Sequence, residues 1–148
     1  MENFNGIEAW CITDGKAGNI HQAKGLAQLL DIKYELKEIK LNFPWDLLPV
    51  GFLPFNQFSF KNFREFRQSK IPKIIITCGK RSVYISIFLK KKFPNLFNIH
   101  ILNPKVDNSN FNLIITPKHD NLIGDNVLST ELAINHINEN FIKSEKLR

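Results

Sequence analysis

The sequence has few cysteines, which argues against a disulfide-stapled protein and against a protein built around a Cys/His metal site. Its 148 residues contain two cysteines, Cys11 and Cys78, which are too few for a disulfide framework. Each lies in an apolar run typical of a strand, so we expect two buried free thiols in a reducing compartment. No Cys/His spacing resembles that of a metal site, and no metal is predicted.

The chain also lacks a long apolar segment. No run approaches the roughly 20 residues needed to span a bilayer. Residues Met1 to Glu8 are polar and acidic rather than basic and then apolar, so no signal peptide is predicted. We therefore expect a cytoplasmic protein, with peripheral attachment at the inner face of the membrane left open.

The formal net charge of +6 is compatible with an anionic partner such as nucleic acid or a lipid surface. Composition offers another cause, because abundant Asn, Ile, Lys and Phe are typical of an AT-rich coding sequence, which raises the pI without any selected partner. The densest basic cluster, Lys90 to Lys92, ends a predicted helix, where the helix dipole favours cations. The basic residues form no recognition element, so nucleic acid is not the predicted partner.

Strand patterns alternate with helix patterns along most of the chain. Strands are predicted, by apolar content or alternation, over Ile7 to Thr13, Tyr34 to Leu41, Ile71 to Cys78, Asn98 to Leu102, Phe111 to Thr116 and, as a short strand or extended link, Asn126 to Leu128. Helices are predicted over 21–30, 83–93 and from Thr130 to about Asn140. This alternation predicts the α/β class, as one Rossmann-like domain over 1–148 with a parallel sheet and helices on both faces.

The stretch from Phe43 to Lys70 departs from this regularity, because prolines interrupt it and phenylalanines crowd it. We expect a long connection with short helices. Aromatic rings beside Lys61, Arg64 and Arg67 suit an anionic membrane surface or a protein partner, and the alternative is that the rings fill the core.

Ligands of parallel α/β sheets bind beyond the carboxyl ends of the strands, so the loops after strands are candidate sites. The loop from Asp14 to Gln22 has two glycines, Gly15 and Gly18, that let the backbone approach a ligand. Free N–H groups of the next helix and Lys16 would bind an anion there. The loop matches neither GxGxxG nor a Walker motif, so no cofactor is predicted, and a structural role for the glycines stays open.

Two further loops contain candidate residues. In Gly79-Lys80-Arg81-Ser82, Gly79 permits the turn, the two cations favour an anion, and Ser82 is predicted to cap the next helix; a solvated basic turn is the alternative. In Lys118-His119-Asp120, His119 suits a general base, whereas Asp120 could simply bond the local backbone. A fourth segment, Asn126 to Asn135, is predicted to be structural, with Thr130 as a helix cap.

Taken in order, these segments resemble the bacterial branch of the mitochondrial-fission (elongated-mitochondria) family. The resemblance lies in five segments: Asp14-Gly15-Lys16-Ala17-Gly18 ending in Gln22, Gly79-Lys80-Arg81-Ser82, Asn103-Pro104, Pro117-Lys118-His119-Asp120 and Asn126-Val127 with Thr130. Several positions depart from the family pattern: Asn19 replaces a histidine, Asn103 an aspartate and Leu132 a glycine, while Lys80 and Lys118 replace arginines. Lysine keeps the charge but loses the two-pronged grip of arginine on phosphate or carboxylate.

The resemblance implies a fold like the N-terminal domain of a GT-B-type glycosyltransferase, in which two Rossmann-like halves face each other across a cleft. It implies that this chain is the acceptor-side half, with a site for a nucleotide sugar or for a phosphorylated or lipid-linked acceptor. A second-half domain or subunit would complete the active site, so we expect no turnover by this chain alone. A non-catalytic scaffold at a membrane surface or a protein partner is the alternative.

Overall fold

The computed structural model describes residues 8–47, 61 and 70–130, and its core is a six-stranded, fully parallel sheet. The strands are β1 (Ala9–Thr13), β2 (Tyr34–Glu38), β3 (Ile74–Cys78), β4 (Phe97–Ile101), β5 (Leu113–Pro117) and β6 (Val127–Thr130). Their order across the sheet is β2-β1-β3-β4-β5-β6. The predicted parallel sheet is therefore confirmed.

The register aligns the carboxyl ends of the central strands. Thr13 of β1 pairs with Cys78 of β3, Cys78 pairs with Ile101 of β4, and Ile101 pairs with Ile115 of β5. The loops that follow these four strands therefore leave the same edge of the sheet. β2 lies at one side of the sheet with β1 as its neighbour, which explains its mostly polar, exposed side chains.

Helices cover both faces of the sheet, as predicted. Helix α1 (Ala17–Leu29) buries Ala23, Leu26 and Ala27 against one face, whose side chains are Cys11, Ile76, Cys78, Ile99, Ile101 and Ile115. It begins four residues before the predicted start, because only one of the two glycines that were expected in the loop lies there. Gly15 turns the chain and Gly18 is helical.

Helix α2 (Ser82–Lys92) covers the opposite face. Its residues Val83, Tyr84, Ile85 and Leu89 pack with strand side chains that alternate with the first set, which are Trp10, Ile12, Ile75 and Ile114, and with Phe111 from the loop before β5. β1 and β3 are buried on both faces, which accounts for their nearly unbroken apolar sequences. Thr130, which was predicted to begin the last helix, is the last residue of β6. The rest of that predicted helix and most of the connection predicted over 43–70 lie outside the described residues.

One polar side chain in this interior ties β4 to its neighbours. Asn98 is fully buried, and its Nδ2 donates to Ser86 Oγ at 3.0 Å and to the Asn110 carbonyl at 2.9 Å. Its Oδ1 accepts from the Asn112 N–H at 2.8 Å. Because a buried amide without partners is costly, this set of bonds fixes how the loop before β5 packs on α2.

Candidate functional site

The loop after β1 is a tight turn organised by Asp14. One carboxylate oxygen, Oδ1, accepts from the Lys16 N–H at 3.1 Å and from Asn19 Nδ2 at 2.9 Å. The Gly15 N–H donates to Thr13 Oγ1 at 3.1 Å, and Gly15 has a φ of 89°, in the region that favours glycine. The turn therefore delivers the chain directly into α1, with Lys16 as the residue before the first helical one.

The loop after β3 packs directly on this turn. Gly79 has a φ of 105°, and a Cβ there would lie 2.7 Å from Asn19 Nδ2 and 3.0 Å from Asp14 Oδ2. The Cys78 thiol donates to Asn19 Oδ1 at 3.4 Å. Asn19, which the sequence analysis recorded only as a departure from the family pattern, therefore joins the two predicted loops.

Two helices begin beside this contact. No side chain caps α1, and the N–H groups of Ala17, Gly18 and Asn19 have no hydrogen-bond partner within the described part of the chain. The prediction that Ser82 caps α2 is wrong, because Ser82 is the first helical residue and its hydroxyl donates to the Gly79 carbonyl at 2.7 Å. Ser82 is fully buried, so it holds the turn in place.

Charges of both signs surround the two helix starts. Lys16, Lys80 and Arg81 are exposed, and Asp14 is half-buried. We call the surface at the two helix starts, formed by the turn at 14–16 and by 79–81, the crevice. Burial, and secondarily the charge of Asp14, raises the pKa of the Cys78 thiol to about 12. Burial alone raises the pKa of Cys11 to about 12. Both thiols are buried and free, as predicted, and both are protonated at neutral pH.

The third predicted loop follows β5 and lies at the same edge of the sheet. A side chain of β5 hydrogen-bonds to this loop. Thr116 Oγ1 donates to Asp120 Oδ2 at 2.7 Å, and His119 Nε2 lies 3.5 Å from Asp120 Oδ1. The His119 side chain is 82% exposed. β5 is separated from β3 by β4, about 10 Å across the sheet. The adjacent histidine and aspartate do contact each other, and their catalytic role stays a prediction.

Two other candidate residues lie on α1 with different surroundings. Gly18 faces open space, since a Cβ there would have no atom within 4 Å. Gln22 is half-buried on the next turn of the helix. The packing at Gly18 therefore does not itself require glycine, in contrast to Gly79.

A pocket that the sequence did not predict lies between the loops after β3 and β4. Its volume is about 460 Å³, and the described residues that line it are Gly79, Lys80, His100, Leu102, Asn103, Pro104 and Lys105. His100 Nδ1 lies 2.7 Å from Thr77 Oγ1 on the neighbouring strand. Leu102 has a φ of 82°, a strained value for this residue type. Apart from its place at the end of a strand, nothing in the sequence pattern distinguished His100.

His100 is neutral in the folded protein. It is 1% exposed, and burial lowers the pKa of its imidazole to about 3. Phe111 packs beside it, with ring centroids 5.4 Å apart. The side chain therefore presents a neutral polar group to the pocket.

Other predicted features lie largely beyond the described residues. Most of the aromatic connection is among them, although Phe43 is 75% and Leu47 71% exposed. Within 8–47, 61 and 70–130, no three His, Cys, Asp or Glu side chains are grouped to hold a metal ion. No helix in those same ranges is long and apolar enough to cross a membrane.

Comparisons with known proteins give two matches. A family model described as "Mitochondrial fission ELM1" matches residues 17–148. An uncharacterized protein, RP120, of Rickettsia prowazekii (strain Madrid E) is 37% identical over 118 residues. That alignment covers 77% of this chain but 32% of the relative, so it spans about a third of the relative's length. No solved structure matches the chain.

The packing at Gly79 leads to a first prediction. We expect Gly79→Ala to lower the free energy of unfolding by about 2 to 4 kcal/mol, because the new Cβ meets Asn19 and Asp14 at a positive φ. Gly18→Ala is the matched control and should be neutral or stabilising by up to about 1 kcal/mol, since that site is helical and open. Urea unfolding of both variants measures the difference, and equal stabilities would contradict the role given to Gly79.

The buried imidazole leads to a second prediction, on pH. The unfolded state takes up a proton near pH 6.5, whereas folded His100 does so only near pH 3. Stability from this group is therefore complete above pH 6.5 and is lost as the pH falls, by about 1.5 kcal/mol between pH 6.5 and about 5. Urea unfolding at several pH values should show this loss, and His100→Gln should remove it. His119→Gln makes the same substitution at an exposed histidine and is the control for the substitution itself.

Proposed function

Because the chain belongs to the mitochondrial fission ELM1 family, we propose that it is a glycosyltransferase-like domain that supplies an acceptor or phosphate site. The site consists of the crevice between the loops after β1 and β3. Its ligand is a nucleotide sugar or a phosphorylated or lipid-linked acceptor. A second domain or subunit would supply the remaining half of the active site.

The observation that supports this proposal is the position of the crevice in the sheet. From β1 the chain moves to β2 on one side and then crosses to β3 on the other. Ligands of open parallel sheets bind at the carboxyl edge where the strand order reverses in this way. The contact of Gly79 with Asp14 and Asn19 lies at this point.

The chemistry of the crevice suits a phosphate attached to a hydroxyl-bearing group. Unpartnered N–H groups at the start of α1 can donate to phosphate oxygens, and Lys16, Lys80 and Arg81 add positive charge. Asp14 Oδ1 already accepts two bonds within the turn, while Oδ2 points toward Gly79. The carboxylate would accept from a sugar or acceptor hydroxyl and disfavour a ligand that is only anionic.

In glycosyl transfer, an acceptor hydroxyl loses its proton as its oxygen bonds to the anomeric carbon, and the nucleoside diphosphate leaves. We assign this proton to His119 and Asp120, which lie at the same edge of the sheet. The hydrogen bond from Thr116 to Asp120 orients the carboxylate, and the exposed imidazole lies within 3.5 Å of it. In this proposal the pair serves the acceptor, while the donor is held by the second half.

A thermal-shift screen tests the proposal, using nucleotide sugars, free nucleotides, inorganic phosphate and phosphorylated acceptor analogues. A ligand at about 100 times its dissociation constant should raise the Tm by about 5 °C or more. The double variant Lys16→Ala/Arg81→Ala should lose most of this shift. Lys33→Ala is the matched control, because Lys33 is exposed beside the amino end of β1, at the opposite edge of the sheet.

Two results would contradict the proposal. One is a cooperatively melting wild-type chain that no phosphorylated ligand stabilises. The other is a stabilisation that Lys33→Ala reduces as much as the double variant does, because binding would then follow total charge instead of the crevice.

A further inference from the structure

At its floor the pocket beside the crevice has one buried polar side chain, His100, that the crevice does not use. Thr77 and His100 are cross-strand neighbours on the face covered by α2, and Thr116 lies on the same face of β5. All three side chains are at most 1% exposed. They form a buried polar row beneath the carboxyl edge, where the rest of this face is mainly apolar.

Within this row, only one of the two ring nitrogens of His100 is hydrogen-bonded to a described residue. Its Nδ1 is engaged by Thr77 Oγ1 at 2.7 Å. Its Nε2 has no hydrogen-bond partner among the described residues, although the ring is almost completely buried. Because His100 lines the pocket and its Nε2 is not used within the described part of the chain, a ligand group that enters the pocket can hydrogen-bond to this nitrogen.

The neutrality of His100 restricts which group can bind there. Burial keeps the imidazole uncharged over the physiological pH range. It therefore attracts no phosphate by charge, and a neutral hydroxyl, which both donates and accepts, suits either tautomer of the ring. The floor of the pocket thus favours the uncharged polar end of a ligand.

The remaining residues that line the pocket favour a ligand whose anionic end faces the solvent. Lys80 and Lys105 are exposed and come from the loops on the two sides of the pocket. Leu102 and Pro104 provide apolar surface between them, which suits the C–H face of a sugar ring. The Asn103 side chain accepts from the Lys105 N–H at 2.9 Å and so holds this loop in shape.

We propose that the pocket binds a sugar phosphate, with a ring hydroxyl bonded to His100 Nε2 and the phosphate between Lys80 and Lys105. A volume of about 460 Å³ falls within the usual size of small-molecule sites. This inference rests on the proposed function and deepens it, since it names the substrate class and adds His100 and Lys105 as binding residues.

The test measures binding of a panel of hexose 1-phosphates by calorimetry, with free hexoses and inorganic phosphate as separate arms. A sugar phosphate should bind more tightly than either part alone. His100→Asn keeps a polar atom near the Nδ1 position but removes Nε2, so we expect about fivefold weaker binding. His100→Gln can place its amide near the Nε2 position and should stay within about twofold of wild type.

The lysines provide a second comparison. Lys105→Ala should weaken sugar phosphate binding about tenfold and leave the weak affinity for free hexose unchanged. Lys33→Ala, with the same loss of charge at the opposite edge, should bind as wild type does. Should His100→Asn fail to fold, the wild-type protein still gives a readout, because the ¹⁵N resonance of His100 Nε2 should shift when the sugar phosphate is added.

The outcomes separate this inference from the proposed function. Binding that His100→Asn and Lys105→Ala weaken, and Lys16→Ala/Arg81→Ala does not, supports the pocket. Binding that only Lys16→Ala/Arg81→Ala removes, with an unshifted Nε2 resonance, overturns the pocket and leaves the crevice proposal standing. Absence of binding by every sugar phosphate overturns the pocket, while nucleotide binding in the thermal-shift screen would still support the crevice.

Discussion

Close packing of Gly79 on the side chains of Asp14 and Asn19 is the constraint on which this edge of the molecule depends. The parallel pairing of β1 with β3 brings Thr13 beside Cys78. The two segments that follow these strands must then turn within the spacing of one pair of strands. A left-handed glycine and an aspartate that bonds its own turn make this possible. Both helices begin where they do because these turns are so short.

The same geometry explains why polar groups gather at one edge of an otherwise apolar sheet. Apolar side chains fill both faces of the central strands over most of their length. Near the carboxyl edge, Thr77, His100 and Thr116 replace them, and each has a hydrogen-bond partner. Buried polar groups are costly unless they are paired, so this paired group below the candidate loops is consistent with support of a site there, as the Asn98 set supports the loop before β5.

The sequence alone was sufficient to predict the α/β class, the parallel sheet and the strand-to-helix loops, because these follow from local apolar patterns and from glycines at turns. Strand ends differed by a few residues, since patterns do not show where ladder hydrogen bonds stop. The start of α1 was placed too late because Gly18 was treated as part of the turn. Ser82 was assigned as a cap, yet its hydroxyl bonds back to Gly79 from inside the helix.

The site was predicted less completely than the fold. The loops containing Lys16 and Arg81 could be found because they follow strands, and the resemblance singled out the same segments. His100 was missed because its importance comes from a cross-strand neighbour 23 positions away and from a pocket formed by two loops. Such contacts leave no mark on the local pattern. Asn19 was noticed only as a substitution, although it links the turns after β1 and β3.

The central claim is that the edge between β1 and β3 binds a phosphorylated ligand. Amide chemical-shift mapping in ¹H–¹⁵N spectra, during titration with a phosphorylated ligand, tests it most directly. The account predicts that the largest shifts fall on Ala17, Gly18 and Asn19 at the start of α1 and on residues 79–82. Shifts centred instead on the basic end of α2, Lys90 to Lys92, or spread evenly over exposed lysines, would contradict it.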